Sequence, residues 1–420
     1  MFFKSSNDTY NAYVIASDYI SSKQSVFVVT PNLYEAQKYY DTLSQIIDSE
    51  KVLFYPADQT LTSIMALGSP EFKSERIFTL KQLMTGEPYI VVTTLQGISQ
   101  RQLTPDDYKN SVKKIVKNQS YTMDKLIQFL VYSGYQRTYT VEKPGEFSLR
   151  GHILDIFTLN HEQPYRLDFF DDVLDEIKIF DVETQRSFAQ VTELEISPMH
   201  ELFYTDSMKL DALNKITKFF EQKPLSEREQ EKYHQDIENL ENRTKLDGLS
   251  IYIPFFNTEP TTLLDFSQQK KVYLIDVYKM HQNEASTESD LSTYATTMNG
   301  SRFLEIPFRV TLAHSLKQPH IEIDNLGLHS PEHAEDLGIK SMSQFQGNLA
   351  LFFLDIKDMM DTYKIIVSVS AQTFYKDVEN FFNEKQITFY QSLNDQPGIY
   401  LIEQPSYGSF LSSHDQLYLI

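Results

Sequence analysis

Asp171, Asp172, Asp175 and Glu176 crowd four carboxylates into six consecutive positions, and carboxylate oxygen is what a hard cation binds. Such a site needs its oxygens to converge, whereas acidic residues around a hairpin turn are normally just hydrated, so the cluster predicts surface and no metal. Asp175-Glu176 also spells a DE box. It falls among short alternating strands rather than after a buried parallel strand, and reads as surface too. The ten histidines are dispersed with no H-E-x-x-H pattern, and His161, His200 and His320 read as ordinary core or surface residues. No G-x-S-x-G elbow occurs, and the absence of cysteine removes thiol nucleophiles, Cys zinc sites and disulfides. No catalytic residue is assigned. In Tyr165 to Phe170 (YRLDFF) the strand period puts Tyr165, Leu167 and Phe169 on one face and Arg166, Asp168 and Phe170 on the other. One face can pack while the other meets a partner. Gly151, between Arg150 and His152, reads as a close backbone approach or a bulge.

The elements that position these side chains change character along the chain. Ser25 to Thr30 (SVFVVT) predicts a buried strand, followed by a helix with Ala36, Tyr40, Leu43 and Ile47 on one stripe and Asn32 and Glu35 at its N-cap and N3. Val52 to Tyr55 and Tyr89 to Thr94 add strands, and Ser69-Pro70 opens a helix that Gly86 can close. This alternation predicts a buried parallel sheet with helices on both faces. After about residue 112 a helix near Met123 to Ser133 stops at Gly134, and short alternating strands run to about Ile196 as an α+β insert. Leu210, Leu213, Ile216, Phe219 and Phe220 mark a later helix, and the charged stretch Ser226 to Lys245 predicts another. Val272 to Ile275 returns to the buried strand type, so the first domain is expected to be completed after the insert. Glu284 to Ser301 is polar and reads as linker or loop, and strands near Lys364 to Ser370, Ile387 to Tyr390 and Ile399 to Ile402 suggest a small α/β unit. The apolar end Leu417 to Ile420 lacks a polar tail and is read as the mark of a piece of a longer protein.

With 420 residues the chain has room for two to four domains. Apolar residues are 41% and charged residues 23%, and 29 Phe with 26 Tyr supply aromatic burial that the missing Trp cannot. A net charge of −20 repels a phosphate backbone over a Debye length of about 8 Å, which argues against broad DNA binding by this chain. No segment reaches the ~20 apolar residues of a membrane span and none has a cleavable leader's pattern. A cytoplasmic setting is the expectation, in keeping with the lack of cysteine.

Gly134-Tyr135, Arg137, Pro144 to Phe157 (PGEFSLRGHILDIF), Pro164 to Asp181 (PYRLDFFDDVLDEIKIFD) and Thr184 to Ser187 (TQRS), taken in order, resemble the insert domain shared by UvrB and the transcription-repair coupling factor (Mfd) family. Tyr55 to Asp58 (YPAD), Ser74 to Leu83 and Val91 to Arg101 extend the likeness more loosely. The resemblance implies an α/β chain: a degenerate helicase-like (RecA-type) domain at 1–112, an inserted α+β UvrA-binding domain at 113–198, completion of the first domain at 199–322, and a small α/β domain at 330–420. It implies UvrA contact through Arg150, Arg166, Phe170 and Asp172, where an Arg fork and an exposed Phe suit a small polar interface.

The resemblance favours the coupling factor over UvrB. A P-loop needs glycines and a lysine to hold phosphates. The matching Ser5 to Ala12 (SSNDTYNA) has neither, and no tyrosine-rich hairpin follows Tyr55. Leu263 to Phe266 and Val272 to Asp276 approach a Walker B box, yet Val277 takes the place of the water-orienting glutamate. Asn11, Asp276 and Val277 therefore mark a degenerate nucleotide site, and no cofactor is expected here. The family further implies that ATP, Mg²⁺, RNA polymerase and double-stranded DNA engage other parts of a longer chain, whose C-terminal end covers the UvrA surface. An ATP-binding UvrB-like helicase and a structural scaffold remain the alternatives.

Overall fold

The computed structural model describes residues 2–57, 70–159, 161–244, 246, 248–297, 302–315, 317–324, 334–340, 348–404 and 408–420. Asp58, Ser69, Lys245, Ser301 and the stretch after Tyr55 that bears on the tyrosine-rich hairpin include or fall on positions outside those residues.

The first sheet takes strands from both sides of the insert. β1 (Phe2–Lys4), β2 (Ser25–Thr30), β3 (Val52–Tyr55) and β4 (Ile90–Thr94) precede the insert. Their helices are α1 (Asp8–Ser22), α2 (Leu33–Ile46) and α3 (Pro70–Leu83). β13 (Lys270–Ile275), β14 (Ile321–Asp324) and β15 (Glu335–Asp336) follow the insert and complete a parallel sheet in the order β15-β1-β14-β13-β2-β4-β3. All of β2 is buried because alternate residues enter opposite cores. Val26 and Val28 meet α1 and α2 on one face, while Phe27 and Val29 meet α3 on the other. Asn32 caps α2 by accepting from the Glu35 amide at 2.9 Å, as its sequence position suggests.

The insert begins and ends in paired antiparallel strands, β5 (Lys113–Val116) and β12 (Glu193–Ile196). Between them, α4 (Met123–Tyr132) covers the inner face of a six-stranded sheet. Its strands are β6 (Gln136–Arg137), β7 (Glu146–Arg150), β8 (Ile153–Ile156), β9 (Tyr165–Phe170), β10 (Val173–Phe180) and β11 (Ser187–Val191), in the order β11-β10-β9-β8-β7-β6. Just past the insert, Glu201 takes a two-point grip from Arg76 of α3 at 2.6 and 2.9 Å, tying the insert's exit to the first domain.

After α5 (Asp206–Glu221) and α6 (Glu227–Asn242), the polar stretch expected to be linker or loop is, as far as Thr297, instead most of a helix, α7 (Val277–Thr297). Its inward positions are Val277, Met280, Asn283, Glu284, Thr287 and Leu291, and those in the middle are polar. Asn283 donates to the Pro31 carbonyl at 2.9 Å, and Glu284 accepts from the Leu312 amide at 2.8 Å. A helix held by hydrogen bonds at its centre leaves only a broken apolar stripe to read.

The last unit is a mixed sheet of β16 (Ile339–Lys340), β17 (Lys364–Ser368), β18 (Phe389–Tyr390), β19 (Gly398–Ile402), β20 (Phe410–Ser412) and β21 (Leu417–Leu419). Its core includes α8 (Leu349–Ile356) and α9 (Gln372–Glu384). Among the described residues no helix is long and apolar enough to cross a membrane.

Candidate functional site

Strand register decides which side chains of the insert share its outer face. Ser148 of β7 pairs with Asp155 of β8, and Asp155 with Arg166 of β9, so these three stand in a row. Arg150 lies two residues from Ser148 and joins that face. Asp155, with its side chain 1% exposed, accepts from Arg166 Nε at 2.7 Å, from Arg166 Nη2 at 2.9 Å and from Arg150 Nη2 at 2.5 Å. The third donor used on Arg166, Nη1, reaches the Gln185 carbonyl at 3.2 Å, and its guanidinium lies 4.5 Å over the Phe180 ring. Arg166 is thus largely enclosed at 17% exposure, whereas Arg150 at 44% turns much of its fork to solvent.

Beside this trio runs a second charged row. Lys178 pairs with Asp168 at 2.7 Å and also with Glu176, and these hydrogen bonds, that to Asp168 first, raise its ammonium above the usual lysine range. Phe170 is 76% exposed at the end of β9, opposite the partly exposed Val173. Asp171 and Asp172 make the two-residue turn between them. Asp171 is in the left-handed region with φ 51°, and the Asp172 carbonyl accepts from the Tyr121 amide at 2.7 Å. The Asp172 carboxylate is exposed. Gly151 needs a correction: a Cβ there would meet nothing within 4 Å, so no close approach requires it. It is the first residue of the two-residue turn joining Arg150 and Ile153, where φ 63° favours glycine.

The second candidate lies at the carboxyl edge of β1 and β13. Asn11 is buried in α1 and donates to the Tyr39 hydroxyl at 3.2 Å, which donates to Asp8 at 3.1 Å. Lys38 pairs with Asp8 at 2.7 Å and Lys279 with Glu35 at 2.6 Å. Asp276 follows β13 with φ 56°, and burial first, then Asp324 and Glu35, lifts its carboxyl above the ordinary range against the pull of the Lys279 amide and ammonium. Val277 starts α7, half-buried against the core. The N-terminus of α1 is covered by the last sheet. Asn7 Nδ2 donates to the Ser409 carbonyl at 2.9 Å, Tyr10 donates to Asp415 at 2.7 Å, and a Cβ on Gly408 would come within 2.2 Å of Thr9 Oγ1. Acidic side chains and a docked loop thus occupy the edge where a P-loop would present amides to phosphate.

Comparison with known proteins bears on both places. Residues 114–202 match the UvrB interaction domain family, a span that holds Arg150, Arg166, Phe170 and Asp172. The chain is similar to the transcription-repair-coupling factor of Bacillus subtilis, 32% identical over 286 residues, covering 66% of this chain and 24% of that relative. It is also similar to that of Staphylococcus epidermidis, 26% identical over 404 residues, covering 91% of this chain and 34% of the relative. The chain belongs with the N-terminal UvrB-homology regions of the transcription-repair-coupling factors. It spans about a quarter to a third of the length of these coupling factors. Asp155, Phe180, Gln185 and Lys178, which build the charged face of this coupling-factor region, lie within the segments that carry the resemblance, but their spacing alone does not mark them. The one mark in the sequence is a lone Asp in the apolar run Ile153 to Phe157, whose partner depends on strand register. His161 bonds the Tyr165 hydroxyl and His320 bonds Glu322, both in ordinary structural roles.

Proposed function

We propose that this chain recruits UvrA in transcription-coupled nucleotide excision repair, through the outer face of its insert. The observation that carries this reading is the match to the UvrB interaction domain over 114–202, on a face that offers an arginine pair, an exposed Phe170 and the Asp172 carboxylate. Desolvated arginine and aromatic side chains dominate small interfaces. In the longer protein, a motor elsewhere would hydrolyse ATP with Mg²⁺, track double-stranded DNA and engage RNA polymerase in the cytoplasm. Its C-terminal part would cover the UvrA surface until released. UvrA binding by wild type, Arg150→Ala, Arg166→Ala and Phe170→Ala tests the assignment. Each variant is expected to weaken binding about tenfold or more, and equal binding by all four removes the surface.

The chain itself is read as having no ATPase activity. The carboxylates of Asp8, Glu35 and Asp276 at the strand edge, with Lys38 and Lys279 already paired, support that reading because like charge repels phosphate. Titration with labelled ATP and Mg²⁺ is expected to give no saturable binding. Tight Mg²⁺-dependent binding would restore the helicase alternative.

A further inference from the structure

Two guanidiniums on one sheet face repel each other, and each long side chain has many rotamers to lose when it is fixed. Arg150 and Arg166 nevertheless converge on a single buried carboxylate, which takes Arg166 at both oxygens and Arg150 at one. We propose that Asp155 is the positioning residue of this surface: it neutralises one of the two charges and presents the arginine pair in one fixed arrangement. The proposal rests on the recruitment reading for its partner.

Asp155 does not itself reach the surface, since its side chain is 1% exposed. Its contribution therefore passes through the arginines. Three features make it a rigid anchor. Its neighbours Leu154 and Ile156 are buried in the inner core. Its backbone is paired on both sides, with β7 and β9. The fork of Arg166 is held by its hydrogen bonds to Asp155 and the Gln185 carbonyl and by the Phe180 ring against its face, which restrains it from swinging away. Arg150 is the looser member, bound to Asp155 by one nitrogen, and it should lose most order when that charge is removed. A partner able to use this arrangement carries a carboxylate for the outward part of the Arg150 fork and an apolar pocket for Phe170.

The test uses the whole chain and purified UvrA. Asp155→Asn is expected to weaken UvrA binding about tenfold. In the Arg150→Ala background the further loss should be clearly smaller than in wild type, because linked residues are not additive. Asp155→Glu, which restores the charge, should recover part of the loss. Without any partner, ¹⁵N relaxation of the Arg150 Nε–H in the folded proteins should show an ordered side chain in wild type and a mobile one in Asp155→Asn. Wild-type binding by Asp155→Asn, multiplicative losses in the double variant, or unchanged Arg150 order overturns the proposal. If wild type does not bind UvrA, the recruitment reading fails, and Arg150 order alone decides whether Asp155 positions the pair.

Discussion

Asp276 sits in a left-handed backbone conformation with its carboxylate in surroundings that raise its pKa, by burial first and then by Asp324 and Glu35. A carboxyl whose folded pKa lies above its unfolded value stabilises the fold only below the unfolded pKa, and opposes it once both states are ionised. Asp276→Asn keeps an acceptor for the Lys279 amide and tolerates positive φ. It is expected to raise the melting temperature by roughly 1–2 °C at pH 7, with the gain fading as pH falls through the raised folded pKa and gone below about 4; a lower melting temperature at pH 7 would contradict this. Arg166→Ala should act in the other direction. It leaves the buried Asp155 with Arg150 alone and is expected to cost about 3 kcal/mol in urea unfolding, the price of a broken buried pair. At this scale the sequence supplied the types Arg150, Arg166 and Phe170. Their convergence on Asp155 was illegible, because it depends on the register of three strands.

Helix α1 shows the same limit among elements. Its buried residues point two ways: Ala12, Ile15 and Ala16 into the first sheet, and Tyr10, with the partly buried Tyr13 and Val14, toward Phe410 and Leu419 of the last. Two apolar faces blur one stripe, and the helix does not stand out in the sequence. The second contact has a pH signature. Burial pulls the Asp415 carboxyl up, but hydrogen bonds from His414, Ser412 and Tyr10 outweigh it and hold the carboxyl below its usual range. Burial, then the bond to Asp415, pushes the Tyr10 hydroxyl up to about 12. The depressed acid contributes stability that is lost as pH falls through its folded pKa. The raised phenol contributes stability present below pH ~10 and lost as pH rises toward 12. Amide exchange protection at Asn7 to Tyr13 is therefore expected to peak in the neutral range and decline at both extremes in wild type. Asp415→Asn should flatten the acid limb, and an unchanged acid limb would remove Asp415 from the contact.

For the whole molecule, 58 acidic against 38 basic side chains make self-repulsion a general term in stability. Raising salt from about 0.05 to 0.5 M shortens the Debye length and is expected to raise the melting temperature by a few degrees. A fall would mean that specific pairs such as Arg76 with Glu201 outweigh the repulsion. Alternation of apolar runs and turn residues was enough by itself to determine a parallel α/β sheet interrupted by an α+β insert and followed by a smaller α/β unit, because strand and helix periods are local properties. The polar helix α7, the covering of the α1 N-terminus by residues 408–415 and the splinting of two arginines by Asp155 were decided only by tertiary structure. Each depends on hydrogen bonds or register between segments far apart in the chain, and periodicity carries no record of such partners.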